Sequence, residues 1–348
     1  MNNPETSGPR QRAQTVSRSG GHILADQLRI LGTDTLFCVP GESFLDLLDG
    51  LHDHADVIKT IVCRHEGGAA NMADAYAKMT GKPGICAVTR GPGATNAANG
   101  VHTAFQDSTP MILLIGQVGR SMTDREAFQE MDYRRVFGEM AKWVAQIDDV
   151  SRIPEYIARA WKTCLSGRPG PVVLALPEDM LTSAAQVDDI AARQIENPAP
   201  SPAAVSQLST LLNQAKRPMM MVGGPGWSAQ CGKLAMDFAA RVGLPVAASF
   251  RCQDYVDNDH PNYVGVVGIA PSPKLVRRIR QEVDLLIVVG ARLGEMTTQG
   301  YNLIDIPNPQ MKFVHVHPGA EEIGRVYGPD LGIVSSASNF FGALDALP

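Results

Sequence analysis

Val57-Ile58-Lys59-Thr60-Ile61-Val62-Cys63-Arg64-His65-Glu66-Gly67-Gly68-Ala69-Ala70-Asn71-Met72-Ala73-Asp74-Ala75-Tyr76-Ala77 passes from a β-branched apolar run to a run of very small residues, with one carboxylate at the change. The first six residues read as a strand, and a helix is predicted from Glu66 to about residue 80, with Gly81 free to cap its end. Glu66 would then stand where a strand of a parallel sheet feeds a helix. An acidic residue in a first helical turn is ordinary on its own, because the macrodipole favours it. Its neighbours give Glu66 a second reading as a site residue.

Downstream, Ile85-Cys86-Ala87-Val88 reads as a short buried strand, followed by Thr89-Arg90-Gly91-Pro92-Gly93-Ala94-Thr95-Asn96. Glycines in such a turn let the backbone approach a ligand, and the helix start behind it offers free N–H donors. Met111-Ile112-Leu113-Leu114-Ile115 then runs into Gly116-Gln117. Three strands deliver loops to one sheet edge, the edge at which open α/β sheets bind ligands.

Strand patterns at 35–39, 57–62, 85–88, 111–115 and 172–176 alternate with helical stretches at 20–31, 42–51, 66–80, 95–105 and 153–165. This predicts an α/β fold with a doubly wound, mainly parallel sheet. A second unit of the same kind follows, with strands at 218–222, 245–248, 284–290 and 313–317. The predicted organisation is a disordered polar tail (1–17), a first domain (18–185), a linker (186–202) centred on Asn197-Pro198-Ala199-Pro200-Ser201-Pro202, and a Rossmann-like central domain (203–348).

A chain of 348 residues with 44% hydrophobic content can hold two cores. Its net charge of −5 gives no basic field for nucleic acid, and no apolar run approaches the roughly 20 residues that span a bilayer. The first seventeen residues lack the apolar core of a signal peptide, so a cytoplasmic location is expected. Cys38, Cys63, Cys86, Cys164, Cys231 and Cys252 form no Cys-x-x-Cys pair and read as buried thiols. His65-Glu66-Gly67-Gly68-Ala69 begins like a zinc-binding helix but has Ala69 where a second histidine is required. Gly224-Pro225-Gly226-Trp227-Ser228-Ala229 matches a dinucleotide turn only formally, because the next strand ends in Ser249-Phe250-Arg251 without an acidic residue for a ribose.

Taken in order, Arg64-His65-Glu66-Gly67, Gly91-Pro92-Gly93-Ala94-Thr95-Asn96, Asp107-Ser108-Thr109-Pro110, Gly116-Gln117, Ala127-Phe128-Gln129-Glu130 and Gly167-Arg168-Pro169-Gly170-Pro171 resemble the thiamine diphosphate enzymes of the acetohydroxyacid (acetolactate) synthase type. The similarity spans roughly residues 20 to 180 and continues more loosely through Gly290-Ala291-Arg292 and His315-Val316-His317. The resemblance implies a carboligase or decarboxylase of 2-oxo acids. Glu66 would hydrogen-bond N1′ of the aminopyrimidine of thiamine diphosphate and favour the tautomer that generates the reactive ylid. Pro40 and Gly41 would pack on the pyrimidine, with Pro92, Asn96 and Gln129 lining its pocket and Gln117 facing the reacting end. Phe105, Phe128 and Lys142 match positions of a substrate channel, although core packing explains the aromatic pair equally well.

For the central domain the resemblance implies FAD, held by Arg168 and Arg292. His315-Val316-His317 departs from the family's His-Ile-Asp pattern, and both histidines also read as packed strand-end residues. The family binds the diphosphate through Mg²⁺ on a further domain marked by Gly-Asp-Gly, a motif found nowhere in this sequence. The chain is therefore expected to correspond to the first two thirds of such an enzyme and to bind the cofactor poorly by itself. It would work as a homodimer or higher oligomer, or with a partner chain that carries the diphosphate-binding domain. The Gly67–Ala77 helix is the expected contact surface. Pyruvate leads as the substrate; relatives acting as glyoxylate carboligase, sulfoacetaldehyde acetyltransferase or oxalyl-CoA decarboxylase stay open, as do a non-catalytic nucleotide-binding or regulatory module and a plain α/β oxidoreductase.

Overall fold

The computed structural model describes residues 16–345. All of the predicted tail except Val16 and Ser17 lies outside the described residues. The chain divides into two units, the first comprising residues up to 105, 110–164 and 171–193, the second 106–109, 165–170 and residues from 194 onward.

In the first unit, β1 (Arg18–Ser19) pairs antiparallel with a distant two-residue strand described below. The main sheet consists of β2 (Thr35–Cys38), β3 (Lys59–Val62), β4 (Gly84–Val88), β5 (Met111–Gln117), β6 (Trp143–Gln146) and β7 (Pro171–Pro177). All its pairings are parallel, in the order β3-β2-β4-β5-β7-β6. The central strands β4, β5 and β7 are buried throughout, which is why they read as unbroken apolar runs. Helices Gly20–Ile30, Leu45–His52 and Ile153–Leu165 pack on one face through Leu24, Leu47 and Ile157. Helices Glu66–Thr80, Pro92–Asp107 and Tyr133–Phe137 pack on the other through Ala70, Ala97 and Phe137.

In the small-residue helix, the expected contact surface, Ala69, Ala70, Ala73 and Ala77 point inward, while Ala75 is exposed. Ala69, Ala70 and Ala73 are fully buried in the unit's own core. A Cβ at Gly84 would lie 2.0 Å from the Ala73 carbonyl oxygen, and one at Gly100 would lie 2.5 Å from Ala70 Cβ. Small side chains are needed here to let this helix approach strand β4 and its neighbouring helix. Its exposed face carries Asn71, Met72, Ala75 and Met79 instead.

The partner of β1 is β8 (Ala184–Ala185). Beyond it Arg18 pairs with Asp189, and the Gln27 amide both donates to the Ile190 carbonyl and accepts its N–H, each at 2.8 Å. These contacts bind the first residues of the predicted linker to the first unit.

The second unit holds β9 (Pro218–Val222), β10 (Val246–Ala248), β11 (Tyr263–Val266), β12 (Leu285–Val289), β13 (Lys312–His317) and β14 (Leu331–Val334) in another six-stranded parallel sheet, ordered β11-β10-β9-β12-β13-β14. One face buries Met220, Ala239 and Phe341, the other Met219, Ile279 and Phe313. Strands β6, β11 and β14 were not predicted from sequence. Each lies at a sheet edge and is only partly buried, so none has the continuous apolar run that marks a central strand.

Candidate functional site

The first sheet reverses its strand order at β2, with β3 on one side and β4 on the other. Loops following the C-terminal ends of these strands therefore flank a crevice. Val39-Pro40-Gly41 leaves β2, Cys63-Arg64-His65 leaves β3, and Thr89-Arg90-Gly91 leaves β4.

Glu66 opens its helix directly after β3. His65 caps that helix, its Nδ1 accepting the Gly67 N–H at 3.0 Å, and Gly81 closes it in the left-handed region at φ 71°. The half-buried Glu66 carboxylate accepts from Asn96 Nδ2 through Oε2 at 2.9 Å. Asn96 stands in the first turns of the Pro92–Asp107 helix, which begins at Pro92 as proline's fixed φ favours. Gly93 makes this approach feasible, since a Cβ there would stand 3.3 Å from Glu66 Oε1 and 2.8 Å from Thr89 Cγ2.

Thr89 and Ser43 are further site residues, of which Thr89 opens the Gly- and Pro-containing turn that follows β4 and Ser43 lies two residues beyond Gly41. The Thr89 hydroxyl meets Ser43 Oγ at 2.9 Å, joining the loops after β4 and β2. Gly41 lies so close to Thr89 that a Cβ would come within 2.6 Å of it. Tyr133 is a third such residue. Its buried hydroxyl accepts the Gly91 N–H at 2.9 Å, with Gly91 at φ 55°, and burial raises its pKa. Arg90 holds the same turn from the other side, donating to the Phe128 carbonyl and to Glu178.

The remaining predicted residues are dispersed. Pro40 is exposed and Gly41 half-buried on the crevice loop. Gln129, at φ 66°, packs on Gly91, whose Cβ would fall 2.8 Å from Gln129 Cβ. Gln117 ends β5 at the same sheet edge, but its amide is committed to backbone at both ends: Nε2 donates to the Met131 carbonyl and Oε1 accepts the Val118 N–H. It thus supports the 127–131 segment. Phe128 is 76% exposed on that segment.

Phe105 and Lys142 do not join this group within the unit. Phe105 is thirteen positions along the helix from Pro92, about 20 Å at 1.5 Å per residue. Lys142 immediately precedes β6, and its N–H bonds to the Pro171 carbonyl at the start of β7, so it lies at the opposite edge of the sheet. Sequence motifs give order along the chain but not the direction in which an element returns.

In the second unit the switch lies between β9 and β12. Here Arg168 and Arg292 do come together, on the carboxylate of Glu322, which is 3% exposed. Arg168 Nη1 is 3.1 Å from Oε1, and Arg292 Nε is 4.0 Å from Oε2. Arg325 completes the cluster at 3.0 Å. Burial and the Arg292 charge lower the Arg168 pKa. His315 and His317 lie buried on the same strand, their ring centroids 6.2 Å apart, and burial brings the His315 pKa down to about 4.

Among the described residues no cluster of three or more His, Cys, Asp or Glu side chains is arranged to hold a metal ion. None of the described helices is long and apolar enough to cross a membrane. The six cysteines are unpaired.

Residues 18–136 match the family described as "Thiamine pyrophosphate enzyme, N-terminal TPP binding domain", and residues 205–344 match "Thiamine pyrophosphate enzyme, central domain". The acetolactate synthase large subunit of Corynebacterium glutamicum is 30% identical over 348 residues, covering 98% of this chain and 54% of the relative. The acetolactate synthase isozyme 2 large subunit of Escherichia coli is 32% identical over 309 residues (88% and 55%), and a probable acetolactate synthase large subunit of Methanocaldococcus jannaschii is 31% identical over 327 residues (92% and 54%). The chain thus spans about half the length of the curated relatives it matches. With both family matches falling in consecutive order on its two parallel-sheet units, the chain belongs to the thiamine pyrophosphate enzymes.

Proposed function

We propose that this chain supplies the aminopyrimidine-binding half of a thiamine diphosphate-dependent, acetolactate synthase-like carboligase acting on 2-oxo acids. The observation that carries the reading is the Glu66 carboxylate at a crevice edge, oriented through one oxygen by Asn96 while the other faces the side-chain-free Gly93. A fixed, half-buried carboxylate opposite a glycine suits a flat heteroaromatic ring that presents a nitrogen to it. When bound, thiamine diphosphate supplies the electron sink for breaking and making bonds next to a carbonyl. Glu66 holds or passes a proton at the ring nitrogen, and Asn96 keeps its carboxylate aimed. Pro40 and Gly41 give the ring a backbone surface, with Pro92 and Gln129 closing the other side. The apolar core below, including Cys86 and Val88, keeps water from the inner wall.

Pyruvate is the proposed donor, as the resemblance implies, and the words "large subunit" in the relatives' names support an assembly as the working form, a homodimer or one with a chain that carries a diphosphate-binding domain. Mg²⁺ would be held with the diphosphate by that further domain, as the family resemblance implies. FAD fits the second unit on one observation, a buried histidine nitrogen without a partner beside the Arg168–Glu322–Arg292 cluster; those arginines would face the nucleotide. Six free cysteines accord with a reducing, cytoplasmic compartment.

Glu66→Gln in an assembly that includes a diphosphate-binding domain tests the proposal. Deuterium exchange at C2 of the thiazolium ring, followed by NMR, should slow by about 10²-fold or more, as expected for loss of a positioned proton-transfer group. An undiminished rate overturns it.

A further inference from the structure

Helix Pro273–Gln281 of the second unit gathers its cations on one face. At about 100° per residue, Lys274, Arg277, Arg278 and Arg280 share one arc, with Leu275 and Ile279 on the opposite side. Leu275 (5% exposed) and Ile279 (0%) belong to the unit's core, and all four cations are exposed. Among the described residues none of the four makes an ion pair, nor does the exposed Glu282 just beyond the helix. Lys274 and Arg278 stand at i and i+4, and Arg277 and Arg280 at i and i+3, so the face repels itself. Lys274, in the first turn, also opposes the macrodipole. Such a face weakens its own helix and is relieved by an anionic partner.

Two kinds of polyanion fit it poorly. A lipid surface needs apolar side chains to insert, and those of this helix are buried. A long nucleic acid would be repelled by the rest of a chain whose net charge is −5. A short acidic helix fits better, and the chain carries one. Helix Leu45–His52 of the first unit presents Asp46 and Asp49, with Asp53 as its C-cap, at i, i+3 and i+7 and so on one face. The Asp49 and Asp53 side chains are 72% and 61% exposed, and their one ionic neighbour is His22, at 3.6 and 3.3 Å. Both lie at the negative end of their helix, where the macrodipole disfavours them. At 1.5 Å per residue the three carboxylates span about 10 Å of axis and the four cations about 9 Å.

We propose that the cationic face of Pro273–Gln281 docks on the acidic face of Leu45–His52 in a second copy of this chain. The two helices lie antiparallel, which sets Lys274 near Asp53 and Arg280 near Asp46 and relieves the misplaced charge at each helix end. The arginine forks suit carboxylates at this spacing. The contact is independent of the thiamine diphosphate reading and neither needs nor supports it.

Sedimentation velocity of the full chain, at concentrations up to about 1 mM, tests the contact. The wild type should show an association step that weakens about tenfold or more between about 0.05 and about 0.5 M NaCl. At low salt, Arg277→Glu with Arg278→Glu should weaken it about tenfold, as should Asp49→Lys with Asp53→Lys, and a chain with all four changes should recover to within about threefold of the wild type. Should a reversal unfold its helix by circular dichroism, Arg277→Gln with Arg278→Gln should still weaken the step, though by less. The absence of a salt-sensitive step in the wild type, a step that either reversal leaves within about twofold, or a combined variant that does not recover overturns the inference. So does an unchanged step in the arginine variant together with lost binding to an oligo-dT strand or to phosphatidylserine vesicles, which would assign the face to a polyanion.

Discussion

Asn96 and Glu66, thirty positions apart on two different helices, are joined by one 2.9 Å hydrogen bond across the mouth of the first sheet. Each helix follows its own strand, so the bond fixes the relative placement of the β3 and β4 loops as well as the orientation of the carboxylate.

Replacing Asn96 separates these roles. Asn96→Asp sets a second carboxylate against Glu66, and Asn96→Ala removes the donor without adding charge. Both should leave the thermal midpoint nearly unchanged, since Asn96 is exposed and exposed substitutions change stability by about 0.5 kcal/mol or less. Thiamine diphosphate affinity, titrated with Mg²⁺ in an assembly containing a diphosphate-binding domain, should fall in both, and further for Asn96→Asp. Equal affinities across all three proteins would refute the role of the bond.

Burial of the small-residue helix predicts a stability effect and no direct association effect. Ala73→Leu and Gly84→Ala both force the helix away from β4, at a cost of about 1–3 kcal/mol or more, the usual range for overpacking. Denaturant midpoints should drop at every protein concentration tested. A loss seen only on dilution would instead return Ala73 to an intersubunit contact.

At Glu322, removal of the carboxylate takes one buried ion-pair contact away from the partly buried Arg168 guanidinium. Glu322→Ala should destabilise the protein by about 3–5 kcal/mol, as when one member of a buried pair is deleted. Arg325→Ala, on a side chain 59% exposed, should cost under about 1 kcal/mol. Urea unfolding of the two variants compares them directly.

His315 sets a pH dependence. Its folded pKa of about 4 lies below the unfolded value of 6.5, so between those values the unfolded chain binds more protons than the native one and stability rises with pH. From pH 6.5 down to 4 the second unit should lose up to about 3 kcal/mol from this group, at 1.36 kcal/mol per pKa unit. His317, shifted in the same direction, adds to the loss. His315→Asn should flatten the profile over that window; an unaltered slope would mean that other groups control acid unfolding.

Much of this architecture is legible in the residues. The buried central strands announce themselves because a strand covered on both faces must be apolar throughout, and Gly81 marks a helix end because the left-handed cap suits glycine. Edge strands β6, β11 and β14 escaped notice because partial exposure removes that compulsion. Lys142 illustrates a different limit: a motif match says nothing about which edge of a sheet a residue reaches.

By itself the sequence determined the parallel α/β class, the alternation of strands and helices, and the carboxylate at a strand-to-helix junction. All three follow from local periodicity and from what glycine, proline and small side chains permit. Only the tertiary structure decided that Ala69, Ala70, Ala73 and Ala77 of the Glu66 helix face inward, that Thr89 and Ser43 tie two crevice loops together, and that Arg168 and Arg292 share Glu322 beside an unsatisfied histidine nitrogen. These facts depend on contacts between residues distant in the chain, where steric fit and the need to pair buried polar atoms select the partners and local sequence does not.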